Sequence, residues 1–302
     1  MNPKVYILHY ADTEKHSLLG ISNLFLNDLA LRCISSIHEF ADVEHDLIIV
    51  DNGSPPEAHE HMVKLLSDHG FDEEIKWFRE KWHPPATGQI SAIENFLASD
   101  SEQMAFFSSD SKIGPNTLSC GFKMMKDTLT PLHFSAPNMT HYGIGDVENY
   151  PSKEAWKLVL ESPQLETCTT EMAIEYYELH GLDYVIDSWG EAAPISTDIQ
   201  EGGSWNQIGS IFFANREAVE VAGPPDKRYI RNDQYQFYNQ AKKKGCKVSH
   251  MGNVYLPHLG ALYRYGVGSY DKKQIRKYAP DLYALKYHHS LWSQDNEEKK
   301  LV

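Results

Sequence analysis

Two apolar runs in the first half of the chain end in a carboxylate set in a short polar turn: Asp46-Leu-Ile-Ile-Val-Asp51-Asn-Gly-Ser54 and Met104-Ala-Phe-Phe-Ser-Ser-Asp110-Ser111. Strands of a parallel α/β sheet are covered on both faces and read as unbroken apolar runs. Such sheets bind ligands in the crevice beyond their carboxyl ends. Asp51 and Asp110 are therefore candidates for one polar crevice that takes a nucleotide and a divalent cation. Asp51 also suits a plain Asx turn with Gly53, which would be structural only. Asp233 opens a predicted helix, where the macrodipole and unpaired N–H groups favour an ionised carboxylate. It is a candidate general base, and the same position suits a helix cap. His258 follows a predicted strand and offers a nitrogen ligand, although a histidine there is ordinarily structural.

The elements that must position these groups follow from apolar periodicity. Lys4–His9 reads as a strand, Leu24–Phe40 as a helix and Asp46–Val50 as the next strand, a β-α-β unit. Helix Ala58–His69, strand Ile75–Phe78, helix Gly88–Ala98 and strand Gln103–Phe107 continue the alternation, which predicts a parallel sheet with right-handed crossovers. Beyond about Pro115 the pattern changes. A helix over Thr117–Lys126 and a strand over Leu132–Ala136 precede an irregular region through Pro163, a helix over Glu171–His180 and a long loop over Ser188–Ser204. Regularity returns in strand Gly209–Ala214, helix Asn215–Val221, helix Asn232–Lys244 and strand Lys247–Leu256.

In this order the motifs resemble the GT-A fold of nucleotide-sugar-dependent glycosyltransferases, most closely the family 2 type, over most of the chain. Ile48-Ile-Val-Asp-Asn-Gly-Ser54 is similar to the family's strand end that holds the donor's base and ribose. Phe106-Phe-Ser-Ser-Asp-Ser111 is similar to its Asp-x-Asp or Asn-Ser-Asp triplet, with Ser108 standing where the first acid or Asn often sits. Gly209-Ser-Ile-Phe-Phe-Ala-Asn-Arg-Glu-Ala218 and Gly223-Pro-Pro-Asp-Lys-Arg-Tyr229 resemble the strand, helix and Gly-Phe-Asp-Glu segment, with Asn232-Asp-Gln234 at the family's catalytic Glu-Asp. Tyr255-Leu-Pro-His-Leu-Gly260 resembles the late strand whose His ligates metal.

The resemblance implies an α/β fold with a mostly parallel, Rossmann-like central sheet flanked by helices, an acceptor-side insert and a C-terminal helical extension. Residues 1–115 would bind the nucleotide-sugar, 116–262 would form the acceptor and catalytic half with an insert over about 142–204, and 263–302 the extension. It implies that Tyr10, Asp51, Asn52, Gly88, Ser109 and Asp110 hold the donor, a UDP-sugar by preference. Asp110 and His258 would hold Mn²⁺, or Mg²⁺ as second choice, because mixed oxygen and nitrogen ligation suits Mn²⁺. Asp233 would deprotonate the acceptor in an inverting transfer, and Trp205 and Asn232 would contact that acceptor. Its hydroxyl could belong to a glycan, a lipid-linked sugar, a protein or a modified nucleobase.

Composition narrows the field. The 302 residues are 41% hydrophobic, enough for a substantial core, and the net charge of −14 argues against a broad phosphate-binding surface. Cys33, Cys120, Cys168 and Cys246 form no Cys-x-x-Cys pair, which fits reduced thiols and a cytoplasmic protein. The N-terminal apolar stretch is too short for a signal-peptide core, and no later one would span a bilayer. Two rival readings keep acids at strand ends. One is a nucleotide-sugar or glycan-binding module without catalysis, motivated by Ser108. The other is a nucleotidyltransferase, disfavoured because no Gly-rich phosphate loop with a basic signature lies near the N-terminus.

Overall fold

A computed structural model of the chain describes residues 1–15, 22–71, 76–79, 85–111, 113, 117–127, 130–141, 184–186, 192–194, 199–201, 211–225 and 233–258. The elements in chain order are β1 (Lys4–His9), α1 (Phe25–Phe40), β2 (Asp46–Asp51), α2 (Pro56–Asp68), β3 (Lys76–Arg79), α3 (Pro85–Leu97), β4 (Gln103–Ser108), α4 (Thr117–Asp127), β5 (His133–His141), β6 (Tyr184–Ile186), β7 (Ala192–Pro194), β8 (Ile199–Glu201), β9 (Phe212–Asn215), α5 (Arg216–Ala222), α6 (Asp233–Lys243) and β10 (Lys247–His258).

Among the described residues the main sheet has eight strands in the order β3-β2-β1-β4-β9-β5-β10-β8, and β6 and β7 pair separately. Parallel pairing joins β3, β2, β1 and β4, and again β5 and β10. β9 enters antiparallel between β4 and β5, and β8 runs antiparallel to β10. Because β9 reverses direction twice over, β5 and β10 run the same way as β1, β2 and β4. All five of these strands therefore end on one edge of the sheet, and that edge carries Asp51, the Ser108–Asp110 turn and His258.

The alternation of side chains sorts the apolar strands onto two faces, each roofed by helices. On one face Val5, Ile7, Leu47, Ile49, Ala105, Phe107 and Phe213 meet α1 through Ala30, Cys33, Ile34 and Ile37, with α2 and α4 alongside. On the other face Tyr6, Ile48, Val50, Phe106, Phe134 and Phe212 meet α3 through Ala92, Ile93 and Phe96, with α5 and α6 alongside. Aromatic rings lock the join between the parallel and mixed halves: Phe106 stacks on Phe212 at 5.5 Å, and Phe134 meets Phe237 edge-on at 5.2 Å. α6 then stops at Gly245, whose φ of 91° ends the helix, and its neighbours close a Schellman pair through Gly245 N to Lys242 O and Cys246 N to Ala241 O, both 3.0 Å.

Two differences from the sequence expectation have local causes. β5 runs on to His141 and β10 to His258, past the prolines at 137 and 257. Pro137 has no N–H to give, and the register slips at that rung: Met251 pairs with Pro137, Tyr255 with Asn138. The Ser188–Ser204 stretch contains β7 and β8, three-residue strands too short to show a period, rather than loop alone. The helix expected over Glu171–His180 lies outside the described residues, as does the chain beyond His258. No helix among the described residues is long and apolar enough to cross a membrane.

Candidate active site

The β2 end is built around a fully buried Asp51. Gly53, at φ 87°, turns the chain back so that Ser54 N–H donates to Asp51 Oδ1 at 2.8 Å, while His59 Nδ1 lies 2.6 Å from Asp51 Oδ2. Ser54 Oγ in turn accepts Ala11 N–H at 3.1 Å, which ties the loop after β1 to the loop after β2. The Asx-type turn that sequence allowed is thus present, and both carboxylate oxygens of Asp51 serve the scaffold. Any donor contact by this residue uses its remaining lone pairs.

At the end of β1, His9 is buried between β2 and β4, with Nε2 2.8 Å from Asn27 Oδ1 and Nδ1 3.4 Å from Ser109 Oγ. Burial lowers the pKa of His9, against the opposing pull of Asp51, so the ring is neutral at neutral pH. Asn27 Nδ2 donates to Ala58 O and faces His61 Nδ1, each at 2.9 Å. Asn27 therefore presents its oxygen to His9, which assigns the His9 proton to Nε2 and leaves Nδ1 as acceptor for the Ser109 hydroxyl. A chain of side chains thereby runs from α2 through α1 and β1 to the turn after β4.

That turn is held from within. Ser108 Oγ donates to Asp110 Oδ1 at 2.5 Å and Ser111 Oγ to Ser108 O at 2.5 Å, with Ser109 N–H bonded to Leu8 O at 3.1 Å. Cys33 Sγ packs beneath at 3.9 Å from Ser111 Oγ, and burial pushes its thiol pKa up to about 12, so it stays an inert thiol. Tyr10, after β1, directs its hydroxyl to Asp12 Oδ2 at 3.4 Å; Asp12 also accepts from Asn23 Nδ2 and Glu14 N, and burial raises its pKa.

Gly88 closes the opposite wall. A Cβ placed on it would lie 2.2 Å from Leu8 Cδ1 and 3.2 Å from Asn52 Oδ1, so any larger residue would make the Leu8 side chain shift where the first turn of α3 seats against the ends of β1 and β2. Asn95, two turns further along α3, accepts the Tyr6 hydroxyl at 2.8 Å and has a packing role. Asp233 begins α6, and α6 leads down to the start of β10, so its first turn stands at the same sheet edge and on the same face as α3. The structure thus brings Tyr10, Asp51, Asn52, Gly88, Ser109 and Asp110 to one edge of the sheet, the edge at which α6 begins with Asp233. Trp205 and Asn232 lie outside the described residues, as do the side chains of Asp233 and His258. His258 is the last residue of β10, paired in register with His141. β9 and β5 lie between β4 and β10, a separation of about 14 Å at the usual interstrand spacing. Among the described residues no three His, Cys, Asp or Glu cluster to hold a metal. Sequence reasoning missed His9, Asn27 and His59, which carry no motif; an Asp with a His eight residues later, in the first turns of the next helix, was the one available signal.

No family model matches the chain, and no curated protein does. Solved structures do. A structure of GalNAc-T7 with UDP, GalNAc and Mn²⁺ aligns over 85% of this chain and 43% of its own at TM-score 0.52 and 12% identity. Staphylococcus aureus TarS aligns over 85% of this chain and 36% of its own, with TM-score 0.48 and 11% identity. Together with the strand order, the likeness shows a GT-A-like glycosyltransferase fold. The chain spans less than half the length of both neighbours.

Proposed function

We propose that the chain is a glycosyltransferase that moves a sugar from a nucleoside-diphosphate donor to a hydroxyl acceptor. The observation that supports this reading is the gathering of Asn52, Gly88, Ser109 and Asp110 with the start of α6 at the carboxyl edge of a GT-A-like sheet. The nucleoside would lie over the β1 and β2 ends and the diphosphate over the turn after β4. Asp233 would accept the proton as the acceptor oxygen bonds the anomeric carbon and the bond to the diphosphate breaks, inverting that centre. UDP is the favoured nucleotide, in line with the UDP held by GalNAc-T7. The insert over about 142–204 would meet the acceptor, with Trp205 and Asn232 beside it.

A divalent cation, Mn²⁺ before Mg²⁺, would offset the charge that builds on the departing diphosphate. Asp110 fits such an ion as a single hard carboxylate, with diphosphate oxygens and water supplying most of the remaining ligands. His258 would join only across the ends of β9 and β5. Titration of UDP with and without Mn²⁺ tests this assignment. Asp110→Asn should weaken Mn²⁺-dependent UDP binding about tenfold or more, and unchanged binding with chelator present would remove the metal role. Ser108, donating to Asp110 where a second acid would strengthen the cation site, favours a second reading, a donor-binding module without turnover. Tight UDP binding with no transfer or hydrolysis across a broad acceptor panel would select it.

A further inference from the structure

We infer that Gln89 reads the base of the donor nucleotide through an edge that carries a hydrogen-bond donor next to an acceptor, as the uracil imide does; this rests on the donor reading above. Gln89 is 1% exposed, and neither its Oε1 nor its Nε2 has a hydrogen-bond partner. Buried amides in folded proteins are nearly always paired, because the unpaired group keeps its full desolvation cost. Replacement by an apolar residue of the same shape would remove that cost, so the amide is a standing deficit that a ligand can fill.

Its position says which ligand. Gln89, Ala92, Ile93 and Phe96 are spaced at i, i+3, i+4 and i+7, and all four are buried on the sheet-facing stripe of α3. Gln89 is the top rung of that stripe, one residue past Gly88, where an added Cβ would meet the side chains of Leu8 and Asn52. The amide therefore stands where β1 and β2 end, the nucleoside side of the proposed site. The diphosphate would lie beyond β1, at the turn carrying Ser109 and Asp110. A primary amide offers N–H and C=O side by side and pairs in two bonds with a cis-amide edge. The imide N3–H and C4=O of uracil form such an edge. A sugar's neighbouring hydroxyls can imitate it, but they would follow the diphosphate.

The test uses the full chain, the Gln89→Met variant, UDP, 3-methyl-UDP and UDP-glucose. Methionine keeps the length and flexibility of glutamine without its polar atoms. The ligand-free variant should melt no lower than wild type, while its Kd for UDP rises tenfold or more. In wild type, 3-methyl-UDP, which has lost the N3–H, should bind tenfold or more weakly than UDP, and the variant should no longer distinguish the two. Wild type that binds UDP and 3-methyl-UDP alike, or a folded variant that binds UDP as wild type does, overturns the Gln89 role and leaves the donor reading standing. A loss confined to UDP-glucose overturns the base assignment in favour of the sugar. Wild type that binds none of the three overturns both. Should the variant fail to fold, the 3-methyl comparison in wild type still decides.

Discussion

The two edges of the sheet carry similar polar side chains and differ in what those side chains mostly meet. At the amino edge most close off backbone, beside the side-chain pairs Gln103–Asn215 and Lys4–Asp46, each at 3.1 Å. Arg216 donates to the carbonyls of Phe96, Ser99 and Ser101 at the end of α3 at 2.5–3.1 Å and lies 4.9 Å above the Phe96 ring. Asn215 caps α4 through Met125 O at 2.8 Å, and Gln103 reaches Phe122 O at 2.9 Å. At the carboxyl edge side chains face side chains: Ser109 with His9, His9 with Asn27, Asn27 with His61, Asp51 with His59, Ser108 with Asp110. Here too, among the described residues, both polar atoms of a buried amide go without a hydrogen-bond partner, at Gln89. Polar groups that terminate helices need only carbonyls, which every fold provides. A network of mutually oriented side chains, costly to bury and less common, is what a ligand site requires.

That contrast breaks most visibly at Asp233. Asp233→Asn keeps shape and removes the base, so kcat should fall roughly a hundredfold or more while UDP affinity holds. Steady-state kinetics beside titration calorimetry measures both, and a near-normal kcat would return Asp233 to a capping role. At the amino edge Arg216→Met should cost about 2–3 kcal/mol of unfolding free energy and leave UDP binding alone, because charged hydrogen bonds to three backbone carbonyls are lost far from the site. Urea unfolding checks the first half; a shift in UDP affinity would show that the edges are not separable.

Asp51→Asn should do some of each. Losing the charged contact to His59, while the amide oxygen still accepts from Ser54 N–H, should cost about 2 kcal/mol and also weaken UDP binding. A variant that loses stability alone would confine Asp51 to the scaffold. The smallest effect concerns pH. Burial holds the His9 pKa below its unfolded value of about 6.5, so above that pH both states are neutral and there is no penalty. As pH falls below about 6.5 the unfolded chain takes up a proton that the folded chain refuses, and stability drops by at most about 1.4 kcal/mol per unit. His9→Gln, which can still bond Asn27, should flatten the decline between pH 7 and 5. An unchanged slope would assign it to other groups.

Much of this was legible in the one-dimensional pattern. The apolar runs Lys4–His9, Asp46–Asp51 and Gln103–Ser108 show themselves because strands covered on both faces need every residue apolar, and the turn after each is polar because the chain must leave the core there. Asp51 and Asp110 were visible for that reason. His9 was not, since a histidine at the end of a strand reads the same whether it faces solvent or, as here, the gap between two strands. Gln89 sits at a helical position whose buried phase was readable, but whether its amide finds a partner depends on atoms distant in sequence.

The sequence by itself determined the alternation of strands and helices, the two carboxylates at strand ends and the glycine at position 88, because local periodicity and backbone geometry are encoded within a few residues. The tertiary structure alone decided that β9 enters reversed between β4 and β5, which turns the ends of β5 and β10 to the same edge as Asp51 and Asp110. It alone decided that Asp51 is committed to His59, that His9 links three elements, and that Gln89 lies buried without a partner. Pairing between strands and between buried polar atoms is a contest among distant segments, settled by which arrangement leaves the fewest groups unsatisfied, and no local window of sequence records its outcome.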